Sequence, residues 1–276
     1  MNQEMREKLE QLCKELRETT AIPSIVLKIE EKPATIYDSK LGGVPYMPKD
    51  FEYPHDTKGN PLKLLAQLNF NQLPKLEDYP EEGILQFYIL PNWEFGMNYN
   101  YPMRQDTFRV VYHKEILNEE LLIDEIPEIT KDKDYGFPFE GEYLLTGEIK
   151  DSYLSAMDFR FKKIYDELYD KCFSDDDSQV LADEVWDGIF ENFFGEGHRV
   201  GGYPAFTQDD PRDRRLRKYD TTLLTLGSEY DFSLTDQSQW WDLISWGDAG
   251  IANFLISYEN LKALDFSDVM YTWDCH

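Results

Sequence analysis

His198-Arg199-Val200-Gly201-Gly202-Tyr203-Pro204-Ala205-Phe206 decides how this chain is read, because Lys40-Leu41-Gly42-Gly43-Val44-Pro45 carries the same Gly-Gly-x-Pro punctuation in the first half. Apolar pairs follow at matching distances, Leu64-Leu65 and Leu223-Leu224. Gly83-Ile84-Leu85-Gln86-Phe87-Tyr88-Ile89 is echoed by Gly250-Ile251-Ala252-Asn253-Phe254-Leu255-Ile256, and Val110-Val111-Tyr112 by Val269-Met270-Tyr271. Gly43 and Gly202 stand 159 positions apart, as do Val110 and Val269. Matched blocks in one order predict an internal duplication, with a first repeat over about 35–115, a linking segment over 116–195 and a second repeat over about 196–276.

Working outward, residues 2–19 place Met5, Leu9, Leu12, Cys13 and Leu16 at helical spacing and predict an amphipathic helix. Ile25–Ile29 reads as a strand on its β-branched content. Strands are expected at Leu62–Leu68, Gly83–Leu90 and Phe108–His113, and in the later half at Thr222–Leu226, Trp241–Ser245, Ile251–Ile256 and Val269–Trp273. A short helix, Tyr258–Leu264, precedes the last of these. Between the repeats, 117–150 is expected to be mostly irregular, with strand-like pieces at Leu121–Ile123 and Tyr143–Leu145. A helix is expected along Leu154, Met157, Phe161, Ile164, Tyr165, Leu168 and Cys172, capped by Asp151 or Ser152. A second helix, carrying Leu181 to Phe193, would be capped by Asp177 or Ser178 and stopped by Gly195. Gly247-Asp248-Ala249-Gly250 reads as a turn whose two glycines supply positive φ. The expected fold is therefore α+β: a single domain over 1–276, made of two sheet-rich, largely antiparallel halves with covering helices.

Composition narrows the function classes. The 276 residues include 54 acidic and 28 basic side chains, a formal net charge of −26. Such a surface repels polyanions, so nucleic acid and anionic membranes are poor partners and a cationic protein is the better expectation. Three cysteines without Cys-x-x-Cys spacing suit a reducing compartment. The polar N-terminal stretch has no apolar signal core, and no apolar run approaches the ~18 residues that span a bilayer. A cytoplasmic location is the expectation.

Chemistry-bearing patterns are sparse. The four histidines, His55, His113, His198 and His276, show no His-x-x-x-His spacing, so neither a metal nor a cofactor is expected. No Gly-x-Ser-x-Gly elbow is present. Gly201-Gly202 is followed by Tyr-Pro-Ala-Phe, not by the Lys and Ser or Thr of a phosphate loop, and reads as a turn. The basic run from Arg212 to Lys218 is interleaved with Asp209, Asp210, Asp213 and Asp220, which predicts a self-paired, solvated segment. Carboxylates beside tryptophans (Trp246-Gly247-Asp248, Trp273-Asp274) keep glycoside-type hydrolysis open as a class. His198 with Arg199, Gln208, Asp248 and Gln67 are the candidate binding residues; no catalytic residue is singled out.

The chain resembles the YwqG-like family of uncharacterised bacterial proteins from about residue 35 to 275. The likeness rests on Leu41-Gly42-Gly43 with Pro45, Leu65-Ala66-Gln67-Leu68-Asn69, Gly83–Phe87, His198–Gln208, Trp246–Gly250 through Phe254, Asp265-Phe266-Ser267 and Trp273-Asp274-Cys275. That resemblance implies a cytoplasmic, duplicated, sheet-rich domain and an accessory or antidote-like role. One departure stands out: the second copy reads Leu224-Thr225-Leu226-Gly227-Ser228, without the glutamine and acid that the family tends to carry, whereas Gln67 keeps the first-copy glutamine. The leading expectation is a binding or interaction protein. The alternative is a metal-independent hydrolase using carboxylates near His198 and Asp248, and convergence of His198, Gln208 and Asp248 in one pocket would favour it.

Overall fold

The computed structural model describes residues 2–30, 32–123, 125–129, 136–173, 179–195, 197–230 and 242–276. In chain order the elements are α1 (Gln3–Thr20), β1 (Ile22–Glu30), β2 (Lys40–Gly42), β3 (Lys63–Asn69), β4 (Ile84–Ile89), β5 (Phe108–His113), β6 (Glu142–Ser152), α2 (Phe161–Cys172), α3 (Gln179–Phe193), β7 (His198–Gly201), β8 (Thr221–Gly227), β9 (Glu229–Tyr230), β10 (Asp242–Ile244), β11 (Ile251–Ile256), α4 (Tyr258–Lys262) and β12 (Val269–Asp274). Ten strands form one antiparallel sheet in the order β12-β11-β8-β7-β1-β6-β2-β3-β4-β5, and β9 pairs with β10 apart from it. β1 and β6 are the centre, paired from Ile22↔Ser152 to Glu30↔Leu144. A four-stranded wing flanks them on each side.

The side-chain period of two explains why β4 and β11 read as unbroken apolar runs. Leu85, Phe87 and Ile89 point into the main core, as do Ala252, Phe254 and Ile256. The wings therefore fold face to face: Phe87 meets Phe254 with ring centroids 4.8 Å apart, and Phe108 meets Tyr271 at 5.3 Å. Alternate residues lie on the outer faces. Tyr88 packs there with Met47, Tyr53 and Leu62, and Leu255 with Phe206, Tyr219 and Met270. Each outer face is thus roofed by a loop of its own wing, 46–62 or 205–219, and β4 and β11 are buried on both faces.

At matching points the two wings also turn alike. Gly42 and Gly43 have φ of +62° and +71°, and Gly201 and Gly202 have +74° and +69°, a left-handed backbone that favours glycine. β3 carries a bulge against β4 at Leu65, between Leu64 and Ala66, and β8 carries one against β11 at Leu223, where Phe254 and Leu255 pair with Leu224 and Thr222.

Several expectations need correction. In the segment 117–150 the strand expected at Tyr143–Leu145 is longer than read, since β6 spans Glu142–Ser152; Leu121–Ile123 is no strand, being entered by a 3₁₀ turn at Glu119–Leu121. Asp151 and Ser152 lie at the end of β6 and cap nothing; α2 begins only at Phe161. Leu154 and Met157 lie in the connection between β6 and α2, where the Asp158 N–H donates to the Ser155 carbonyl and the Phe161 N–H to the Asp158 carbonyl. The expected caps Asp177 and Ser178, and Trp241 at the start of the strand now seen as β10, lie outside the described residues. The helices α1, α2 and α3 pack chiefly on one another, around Leu12, Leu16, Phe161, Leu168, Val185 and Ile189, together with Leu154 just beyond β6. α1 is capped as its sequence dictates, with the Asn2 side chain accepting the Met5 N–H at 2.9 Å.

Candidate functional site

The sequence-derived residues fall in different places. Gln67 is fully buried on the outer face of β3. Its Oε1 accepts the N–H of Tyr46 and the Nε2–H of Gln86, both at 2.8 Å, while its Nε2 donates to the carbonyls of Ile36 and Asp38 at 2.9 Å. Gln86 in turn donates to the Tyr46 carbonyl and accepts from Tyr88 and His113. With this many partners met, Gln67 staples loop 36–46 to the sheet and has no amide group left for a ligand. The second wing solves the same problem differently. Thr225 Oγ1 donates to Asn253 Oδ1, and Asn253 Nδ2 donates to the Ala205 carbonyl, each at 2.8 Å.

His198 opens β7 and borders a cleft of about 850 Å³ with Val26–Glu30, Gly227–Glu229, Ala249–Ile251 and His276. Its ring is 5% exposed. Nε2 lies 2.6 Å from Glu229 Oε2, which holds the proton on that nitrogen, and Nδ1 is buried without a partner. Both nitrogens are therefore withheld from the cleft. Nothing in the sequence marks Glu229, since only the pairing of β7 with β8 brings it across from 31 positions further on.

Asp248 sits on the turn that borders this cleft through Ala249 and Gly250, but its own carboxylate is exposed; its carbonyl accepts the His276 N–H at 3.0 Å. Gly247 has the expected positive φ of +67°. Gly250 does not: Ala249 takes the left-handed position instead, at +51°. Gly250 is needed for space, because a Cβ there would collide with the carbonyl oxygens of Trp246 and Asp274. Arg199 points to the other side of β7, where its guanidinium approaches Ser152 Oγ at 3.3 Å in a small cleft with Ser24 and Phe193. Burial lowers its pKa, though an arginine stays charged.

Gln208 belongs to a second cleft, of about 630 Å³. Its N–H donates to Asp274 Oδ2 at 2.7 Å and its Nε2 to the Cys275 carbonyl at 2.6 Å. One wall is the loop Met97–Met103, the other runs through Asp209, Asp213, Arg215 and Lys218, and Trp273 and Asp274 line the base. Tyr99 and Tyr101 stand on this loop 67% and 54% exposed. Burial pushes the Asp274 carboxyl up from its ordinary value, against hydrogen bonds from Gln208 and Thr207 and the charge of His276.

The wall 208–219 is self-paired and largely solvated, as the interleaved charges predict, except at Arg212, where a buried ionic knot anchors it. Arg212 is 2% exposed and forks onto Asp210 and Asp158, with Nη2 at 2.6 and 2.7 Å from their Oδ2 atoms and Nη1 donating to the Tyr219 carbonyl. Arg160 completes the knot with two bonds to Asp158. Burial opposes the Asp158 charge, but Arg160 and Arg212 outweigh it and hold this carboxyl below the usual range. Arg215 and Lys218 remain at the surface, paired with Asp213 and Asp268.

Among the described residues, no group of three or more His, Cys, Asp or Glu side chains is placed to hold a metal ion, and no helix is long and apolar enough to cross a membrane. The described residues form a mixed protein of four helices and a large antiparallel sheet, with several open clefts and no assembled catalytic constellation among them. Residues 39–275 match the family described as Domain of unknown function (DUF1963), and the chain belongs to that family. No curated protein matches it.

Proposed function

We propose that this is a cytoplasmic interaction protein, YwqG-like and accessory or antidote-like in role, whose partner is a cationic polypeptide. The observation that carries this reading is the dispersal of the candidate residues combined with exposed aromatics on an acidic rim. His198 and Gln208 line different clefts, the Asp248 carboxylate faces solvent, and Gln67 is consumed in the core. Tyrosines exposed beside carboxylates are the usual anchors of a protein interface, and the net charge of −26 steers a cationic partner toward them. The hydrolase alternative, built on carboxylates near His198 and Asp248, draws less support because the His198 ring has no nitrogen free to move a proton in the cleft.

The same reading takes the two wings as copies of one unit. The mirrored strand order, the paired bulges and the paired left-handed glycines support it.

Association kinetics with a panel of basic, neutral and acidic proteins of similar size test the interaction reading. Basic proteins are expected to associate faster, with rates that fall as salt rises, because screening shortens electrostatic range to about 8–10 Å at physiological ionic strength. Rates indifferent to partner charge and to salt would sink it, as would turnover of ester or glycoside substrates lost in a His198→Ala variant.

A further inference from the structure

The geometry points to the cleft between the Met97–Met103 loop and the 208–219 wall as the seat of a basic side chain, lysine or arginine, presented by an extended peptide segment. This inference rests on the interaction reading above and locates it.

Three observations carry it. The first is rigidity. The tyrosine loop belongs to the first wing but is fastened to the second: Trp273 Nε1 donates to the Glu94 carbonyl and the Tyr271 N–H to the Pro102 carbonyl, both at 2.8 Å. The Tyr271 hydroxyl adds a bond to the Phe95 carbonyl, also at 2.8 Å. Tyr99 and Tyr101 are thus held out by a fixed backbone, so a ligand meets aromatic faces whose backbone is already ordered. Aromatic faces attract ammonium and guanidinium groups through the ring quadrupole, and Arg104 already lies 5.6 Å from the Tyr101 ring centroid.

The second is charge accounting within the cleft. Four carboxylates line it, Asp209, Asp213, Asp268 and Asp274, against two cations. Asp213 is answered by Arg215 and Asp268 by Lys218. Asp209 is exposed and has no hydrogen bond or ion pair among the described residues. Asp274 is met only by neutral donors, the Gln208 N–H on Oδ2 at 2.7 Å and Thr207 beside it, with His276 nearby. No lysine or arginine pairs with either. Two carboxylates with no lysine or arginine partner therefore share one concavity, where an incoming cation finds both.

The third is size. A volume of about 630 Å³ falls within the range of clefts that hold a small ligand or a few peptide residues.

The test is calorimetric titration of the whole protein with four peptides, (Gly-Lys)₄, (Gly-Arg)₄, (Gly-Ser)₄ and (Gly-Glu)₄, at low and high salt. The basic peptides should bind, more weakly as salt rises, and the other two should not. Comparing the lysine and arginine arms identifies which side chain the cleft prefers; binding of either supports the site. Tyr99→Ala and Asp209→Asn alter exposed side chains and leave the fold intact, and each should weaken the preferred peptide about tenfold. Glu81→Gln, which removes the same charge at an exposed position outside the cleft, should change affinity less than about twofold. Basic-peptide binding that is unmoved by Tyr99→Ala and Asp209→Asn would overturn this site while leaving the interaction reading standing. Equal binding of (Gly-Ser)₄ would overturn the charge argument, and failure of both basic peptides would overturn the site and the cationic partner together.

Discussion

The two wings of the sheet use the same backbone for different jobs, and the difference lies in their roofing loops. In the first wing, loop 46–62 is held by neutral groups: Gln67 and Gln86 grip Tyr46, and the Tyr53 hydroxyl donates to the Leu62 carbonyl at 2.9 Å. In the second, Asn253 grips Ala205 in the same manner, but the loop beyond is locked by the Arg212–Asp210–Asp158 knot. Tyr53 and Arg212 stand 159 positions apart, the spacing that also separates the paired glycines. Each wing has a cleft against its roofing loop. The first holds about 380 Å³ between Phe51–Asp56 and Arg109, the second about 630 Å³ with Asp213 and Asp268. Only the second is overhung by the tyrosine loop, because the long β4–β5 connection crosses from the first wing to reach it. The position against the roofing loop is a plain groove in one wing and an acidic, aromatic cleft in the other.

If the second loop is held by charge and the first by neutral bonds, removing each anchor should cost unequal amounts. Arg212→Ala strands Asp158 and Asp210 without their shared cation and should destabilise by about 3–5 kcal/mol, the typical cost of breaking a buried ion pair. Tyr53→Phe deletes a single hydrogen bond and should cost about 1 kcal/mol. Urea unfolding of both variants gives the comparison. Equal losses would mean that the ionic knot contributes no more than a neutral bond.

The wings should also separate by pH. His113 closes the polar crossing of the first wing, with Nε2 3.2 Å from Gln86 Oε1 and its ring against Tyr46 and Phe51. Burial pulls its pKa down to about 4, against a small opposing effect of Asp50. An unfolded histidine titrates near 6.5, so between those values the unfolded chain binds a proton that the folded one refuses. Stability therefore falls as pH drops through this window, by about 3 kcal/mol at roughly 1.4 kcal/mol per unit. The side chains of the second wing's crossing, Thr225 and Asn253, do not titrate. His113→Gln should flatten the pH dependence of the urea midpoint between 6.5 and 4, and an unchanged slope would place the acid lability elsewhere.

Much of this architecture is legible in the sequence, and the gaps have physical causes. The alternating inner and outer residues of β4 and β11 are disguised as continuous apolar runs because both faces are covered, yet the runs still mark the strands. β6 is hidden, since Glu142–Ser152 mixes Glu, Lys, Asp and Gly with few apolar residues and becomes a central strand only through its pairing with β1. The tyrosines of the 92–102 loop show in sequence as an aromatic cluster, but only the cross-wing bonds reveal that Phe95 is core while Tyr99 is exposed. Arg212 looks like one charge in a solvated run because Asp158, which buries it, arrives from 54 positions earlier. Among the candidate residues, the sequence marks His198 without its partner Glu229, and marks Gln67 as a binding residue where the structure uses it as a staple.

The smallest effect bears most directly on why the wings differ. Asp274 keeps a carboxyl in a partly buried place where burial raises its pKa. For an acid shifted in that direction the folded state holds the proton more tightly than the unfolded chain. Its contribution is therefore most favourable below the unfolded value near 3.9, and is lost as pH rises through the folded pKa. At neutral pH the ionised Asp274 weighs against folding. Asn keeps an oxygen for the Gln208 N–H and removes the charge, so Asp274→Asn should raise the free energy of urea unfolding at pH 7 by a fraction of a kcal/mol, the site being open enough to water to blunt the penalty. The gain should vanish at pH 3, where both forms are neutral. The same change should weaken the basic peptides, giving stability and binding of opposite sign, the pattern expected where a charge is kept for function at a cost to the fold. Loss of stability at pH 7 would show instead that Asp274 is a staple for Thr207 and Gln208, and the second cleft would then differ from the first in shape alone.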